Sequence, residues 1–234
     1  MLSMKHRCSA QVRQRGGNEM KPRSRKRFAV YLFFLAIVLS GCDGNYTPWE
    51  RNKVVHGIEF AKLRYGIDDG EIRSIIGYLK DDTVIDGYPC AADWVHFAAD
   101  WQLTLFRLAK PAVINNYSYG ADTWIRFVHD RVTCVFPKNT SVQGYLCRGG
   151  GGVTGVHTSF YESGRLRFFY PVGDVDICGI CCSGSVFSGI GLYEDGTLRE
   201  CTLMQPVVID GISYPKNSRL TFDEAGAVTS ASIM

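Results

Sequence analysis

Beyond residue 53 the apolar positions come in short runs, not helical stripes. Segments rich in Val, Ile, Phe, Tyr and Trp are broken every few residues by Gly, Asp and Asn, and none sustains a period of 3.6. Apolar runs bounded by turn residues predict strands joined by tight turns. Asp-Gly pairs recur at those breaks, and Asp-Gly supplies the positive φ values that tight hairpin turns need.

The breaks are periodic. Asp69-Gly70-Glu71-Ile72 returns as Asp100-Trp101-Gln102-Leu103 and, degenerately, as Asp130-Arg131-Val132. It returns again at Ser163-Gly164, Asp195-Gly196 and Ala225-Gly226, at intervals of 30 to 33 residues. A second element, Ile85–Cys90, recurs at 114–119, 142–147, 177–182 and 209–214. A third, Trp94–Phe97, recurs at 124–127, 158–161, 189–192 and 219–222. Three short strands per unit are expected, one ending at the Gly-x-x-Cys/Tyr corner, one carrying the third element and one following the Asp-Gly turn.

One such unit is marginal alone, so neighbours must pair edge to edge to bury a shared face. The expected fold is all-β: an antiparallel meander of about five and a half repeats and about fourteen strands. It is either an open twisted sheet or a curled sandwich, with the repeat domain at residues 54–234. Residues 54–79 read as an incomplete first copy and the segment after Val228 as an incomplete last one. The pattern resembles the β-hairpin repeats of MORN-type proteins, whose units also turn on a Gly after a polar residue. The period here is longer and the Tyr-x-Gly signature is not kept, so the resemblance implies the hairpin architecture and transfers no functional residue.

Composition narrows the class. With 234 residues, 46% hydrophobic and 21% charged, the chain is neither disordered nor a collagen or coiled-coil fibre. The net charge of +3 invites a nucleic-acid partner. Its distribution withdraws the invitation. Nine of the 26 basic residues precede Phe28, with Glu19 the one acid among them, and the uncharged run FAVYLFFLAIVL follows over 28–39. A basic stretch, an apolar run and small residues form a secretory signal peptide, over residues 1–41. The run is too short to cross the roughly 30 Å hydrocarbon core, which needs about 20 residues.

Leu39-Ser40-Gly41-Cys42 resembles the lipobox of bacterial lipoproteins. That resemblance implies a diacylglyceryl group on the Cys42 thiol, cleavage before Cys42 and acylation of the new amine. Several acyl chains give stable anchoring, at about 0.8 kcal/mol per buried CH₂. The protein is therefore expected on a bacterial cell membrane, held by its N-terminal lipid and facing the periplasm or the exterior. Asp43 resembles an inner-membrane retention signal. Met20, ahead of KPRSRKR, offers an alternative start that would leave residues 1–19 outside the signal. Residues 42–53, polar with one Pro, read as a tether. Without residues 1–41 the 26 basic and 23 acidic residues become 17 and 22, a net charge of −5. Nucleic acid drops from the expected partners, leaving the membrane and an envelope protein.

Candidate chemistry sits first on cysteine. Cys90, Cys134, Cys147, Cys178, Cys181, Cys182 and Cys201 follow Cys42. An exported chain permits disulfides. However, Cys90, Cys147 and Cys182 share a repeat position with Tyr119 and Tyr214, which favours an inward apolar slot. Cys178-x-x-Cys181 is a redox pattern, but it lies at a strand corner beside Asp174 and Asp176, where nothing lowers a thiol pKa. Zinc would need a second ligand pair at metal spacing, so no metal or cofactor is expected. The chain has no GxSxG, P-loop or HExxH, and His56, His96, His129 and His157 are scattered. Gly149–Gly152 reads as a flexible turn. If Trp94, Trp101 and Trp124 share a solvent face, they form a binding surface. The leading expectation is a non-enzymatic repeat scaffold. A glycan or small-ligand binder using the aromatics of 94–124 comes second, and a thiol or metal protein using Cys178–Cys182 third.

Overall fold

A computed structural model describes residues 45–129 and 131–233; the expected signal peptide, the lipobox-like Leu39–Cys42 and Asp43 lie outside the described residues. The fold is an open antiparallel meander, a 14-stranded sheet that does not close on itself. Five long hairpins follow one another across it: 94–98/103–107, 124–128/131–135, 158–161/166–169, 190–192/198–202 and 218–222/228–233. Neighbouring hairpins pair strand to strand, so Leu105 faces Arg126, Thr133 faces Ser159 and Phe168 faces Gly191.

Between the long hairpins the chain leaves the sheet to make small ones. Each has two three-residue strands: 83–85/88–90, 112–114/117–119, 140–142/145–147, 175–177/180–182 and 207–209/212–214. Their two-residue turns carry positive φ at both centres, as at Asp86 (51°) and Gly87 (83°), which suits the twist of so tight a hairpin. These small hairpins act as clips. Cys90, Cys147 and Cys182 each bridge to the exit of the long hairpin that follows, at Leu108, Pro171 and Leu203. Backbone bonds from Ala109 to Pro89 and from Met204 to Cys181 complete the attachment.

Period-2 alternation decides which side the clips cover. Val95 and Phe97, Ile125, Val132 and Cys134, Phe160, Leu166 and Phe169 point to one face, all at most 1% exposed. The clips lay Ile85 and Cys90, Ile114 and Tyr119, Val142 and Cys147, and Ile177 and Cys182 onto that face, in one continuous core. Burying each aliphatic or aromatic side chain there contributes about 1.5–3 kcal/mol. Among the described residues the other face has no second layer.

Two expectations change. Each unit has four strands where three were expected, because the Gly-x-x-Cys/Tyr corner is itself a complete hairpin standing off the sheet. The segment read as a tether is part of the sheet: Asn45–Tyr46 pairs with Gly66–Ile67, and Glu50–Val55 pairs along Ile58–Leu63. Its aromatics explain this, since Trp49 meets Lys62 and Arg64, and Tyr46 meets Arg64, on the long strand Ile58–Asp68. That strand and Glu71–Leu79 form the clip-free first copy.

Candidate functional site: the open face of the sheet

The open face is built from the residues that alternate with the core. One row crosses it in unbroken register: Arg64, Ile76, His96, Leu105, Arg126, Thr133, Ser159, Phe168, Gly191 and Glu200 stand opposite one another strand by strand. Cations and aromatics dominate the row and its flanks, although the expected mature chain is acidic.

At the N-terminal end the cations lie on rings. Lys62 Nζ is 4.4 Å from the centre of the Trp94 ring and 5.0 Å from Trp49, and the Arg64 guanidinium is 4.1 Å from Tyr46 and 4.4 Å from Trp49. Trp94 also meets Tyr78 edge-on at 5.4 Å. Such contacts contribute about 0.5–1 kcal/mol each at exposed sites. They fix the ring of Trp94, whose face is thereby taken by Lys62. Trp124, 8% exposed, is the centre of a small apolar cluster with Leu105 and Val135, flanked by Trp94 and Val153. Trp101 is elsewhere. With φ of 68° it turns onto the clip-covered side, 5.3 Å from Phe97 and 4.7 Å from His56. Trp94 and Trp124 therefore share the open face and Trp101 does not, so the three form no common stacking platform.

A groove of about 680 Å³ occupies the middle of the open face. Its floor carries Trp124, Thr133, Val135 and Ser159, and Arg126, Arg131, Arg167, Arg199 and His157 surround them. One wall is the segment 148–157, the longest connection between a clip and its sheet hairpin, ten residues where the first unit has three. This segment contains Gly149–Gly152 and is not a flexible turn. It closes through a single turn of 3₁₀ helix at Gly152–Thr154, and Val153 packs on the Trp124 cluster. A Cβ on Gly149 would collide with the Lys138 carbonyl, and one on Gly155 with the Gly150 carbonyl, so glycine is what lets this wall fold back on itself. On the far side Gly189 leaves room for the Phe168 ring, which stacks on His157 with centroids 5.8 Å apart.

The electrostatics of the groove are one-sided. Among the described residues its lining includes no carboxylate, and neither Arg126 nor Arg131 has an ion-pair partner. Arg199 is paired with Glu200 at 3.1 Å, and Glu200 also receives Arg219 at 2.8 Å. Burial works to raise the Glu200 pKa, but the hydrogen bonds from Arg219 and Arg199 outweigh it and hold the carboxyl below its ordinary range. Burial lowers the pKa of His157, and Arg126 and Arg131 lower it further; burial, Arg126 and Arg64 do the same to His96. Both imidazoles thus register the positive field of the arginines. Chemically, such a groove can hold negative charge.

The cysteines are arranged for packing. No disulfide joins the seven described. Cys90, Cys147 and Cys182 occupy the inward clip slot, fully buried, as does Tyr119 in the second unit. Cys134 and Cys201 face them from the sheet. Burial pushes the Cys90 and Cys147 thiols up to about 12 and Cys134 well above the usual thiol range. Cys182 and Cys201 are in hydrogen-bonding contact, which with burial keeps the Cys182 thiol protonated. Cys178 sits exposed in a clip turn with φ of 54°. Burial first, then Asp174 and Asp176, raise Cys181. This is the reverse of what a thiolate nucleophile requires. No group of His, Cys, Asp and Glu among the described residues could hold a metal ion, and no described helix is long and apolar enough to cross a membrane.

The groove arginines escape a reading of the sequence because they are spread over three units, Arg126 and Arg131 in one hairpin and Arg167 and Arg199 in the next two. The available signal was alternation: Arg126 is two residues from Trp124, hence on its face. No protein-family model, curated protein or solved structure matches the chain.

Proposed function

We propose that the protein is a lipid-anchored, non-enzymatic binding scaffold of the bacterial envelope and that the open face of its sheet is the working surface. The observation that carries this reading is the inequality of the two faces. One is sealed by five clips over a continuous core, while the other presents ordered aromatics and cations with no second layer of described strands over them. A repeat array offers an extended surface more readily than the convergence of unlike groups that catalysis needs. The lipobox places this surface at a membrane through Cys42, with an envelope protein as its partner.

Anchoring and face are tested together. A palmitate analogue fed to cells should label the protein and leave Cys42→Ser unlabelled; label on the Cys42→Ser chain would remove the anchor from the account. Cross-linked capture from the cell's own membranes should yield a reproducible partner. That partner should be lost with Lys62→Gln/Trp94→Ala on the open face and kept with Val84→Ser/Val208→Ser on the clips. Loss with the clip pair alone would reverse the assignment of faces.

A further inference from the structure

We propose that the groove bounded by Arg126, Arg131, His157 and the 148–157 wall is a binding site for a soluble phosphoryl ligand carrying two or more negative charges. The proposal rests on the open face being the working surface and adds a ligand class to it.

Register brings the charges together. Val128 faces Arg131 and Arg126 faces Thr133, so Arg126 and Arg131 are diagonal neighbours on one face of adjacent strands. Diagonal neighbours lie about 7–8 Å apart at the backbone, within reach of two long side chains meeting one ligand. Arg131 in turn faces Tyr161, and the Arg167 guanidinium lies 5.2 Å from the centre of that ring. Three guanidinium groups therefore gather over three successive strand pairings. Guanidinium presents its N–H donors in a planar fork that matches phosphate oxygens two at a time.

Like charges brought this close repel one another, and the repulsion is relieved by an anion between them. Arg126 and Arg131 have no ion-pair partner among the described residues, whereas Arg107 has both Asp93 and Asp122 and Arg199 has Glu200. Carboxylates thus neutralise Arg107 and Arg199 on the same face, while no described carboxylate pairs with Arg126 or Arg131. The Thr133 and Ser159 hydroxyls, opposite each other on the floor, add neutral donors, and Trp124 with Val153 gives the recess an apolar side. Compactness follows from the wall. The 148–157 segment folds down to the Trp124 cluster and makes a recess, where a flat basic strip would suit a long polyanion.

Pyrophosphate is the probe, with His157 in the groove lining as the reporter, since burial and then the same two arginines lower its pKa. In proton NMR at constant ionic strength, pyrophosphate should raise the His157 titration midpoint and saturate. In Arg126→Gln/Arg131→Gln two changes are expected: the midpoint of the free protein rises, and pyrophosphate affinity falls at least tenfold. Arg126→Gln alone, at an exposed position, keeps the test intact should the double variant not fold, and should weaken binding by several-fold. A midpoint indifferent to pyrophosphate, or a shift equal in wild type and variants, overturns the proposal. Lys62→Gln alone, which spares the Trp124 cluster, leaves the groove in place and should bind pyrophosphate normally while losing the partner. Partner capture lost there with pyrophosphate binding retained supports both readings; normal capture with pyrophosphate binding retained counts against the scaffold reading alone.

Discussion

Tyr119 shows how a single slot in the repeat is filled. Where three other units place a cysteine, this clip places the largest fully buried side chain among the described residues, and its hydroxyl has no hydrogen-bond partner among them. The ring packs on Tyr117 at 4.8 Å and Phe160 at 5.4 Å. Burial, with smaller effects of Cys134 and Tyr117, pushes the phenol far above its ordinary range. An unpaired buried hydroxyl costs about 1–3 kcal/mol, so the ring stabilises the fold and the oxygen opposes it. Tyr119→Phe should therefore leave the urea midpoint unchanged or raise it. Tyr119→Ala should lower stability by about 3–5 kcal/mol, the range for emptying an aromatic core position. A large loss in Tyr119→Phe would mean that the hydroxyl has a partner. Residue-level reading of the sequence had put Cys90, Cys147 and Cys182 in one inward slot from their exchange with tyrosine, and they are buried. The condition set for the three tryptophans fails at Trp101, because a residue at a turn with positive φ can still fold its side chain back over the core.

At the scale of elements, the sequence showed the period and the extent of the main sheet better than the make-up of a unit. Gly turns mark the period, because positive φ at the Gly position, as at Gly164, Gly196 and Gly226, restricts the choice of side chain. The clips were harder to see. A three-residue strand contributes one or two inward side chains, too few for alternation to register, and the hairpin merges into its turn. The 148–157 segment was misread for a related reason, since four glycines in a row suggest freedom when composition alone is considered. Here they allow close approach instead. Gly155→Ala, whose φ of −71° is ordinary, sets the new Cβ against the Gly150 carbonyl and Val135. It should cost about 1–3 kcal/mol, as overpacking does, and move Trp124 fluorescence to the red as the wall lifts. An unchanged spectrum would show that the wall does not shield Trp124.

For the whole molecule, alternation predicted two unlike faces but could not say whether a second layer covers the outer one, so open sheet and sandwich stood equal. The clips decide between them by using up the connecting segments on one side. The arginine groove appears only at this scale, assembled from residues 126 to 199 across three units. It also sets a pH dependence. The folded chain holds His96 and His157 below the ordinary value of 6.5, so the unfolded chain takes up protons first. The sign follows: stability is full above about pH 6.5 and is lost as the pH falls through the folded values. Asp195 and Glu200, lowered from 3.8 and 4.5, add their loss only at more acid pH. The urea midpoint should fall from pH 7.5 to pH 5.5, and His96→Gln/His157→Gln should flatten the change. A midpoint that rises toward pH 5.5 would contradict the positive field on the open face.

The scaffold account turns on which face is occupied where the protein works. Val84, Val113, Leu146 and Val208 stand exposed along the outer side of the clips and are the rival surface. Hydroxyl-radical footprinting of the protein in its own membranes, compared with the purified protein, reads both faces at once. The account predicts protection of Trp94, His157 and Phe168 in the membranes, with the clip valines and Leu146 modified equally in both samples. Protection of the clip ridge with an unprotected open face would contradict it.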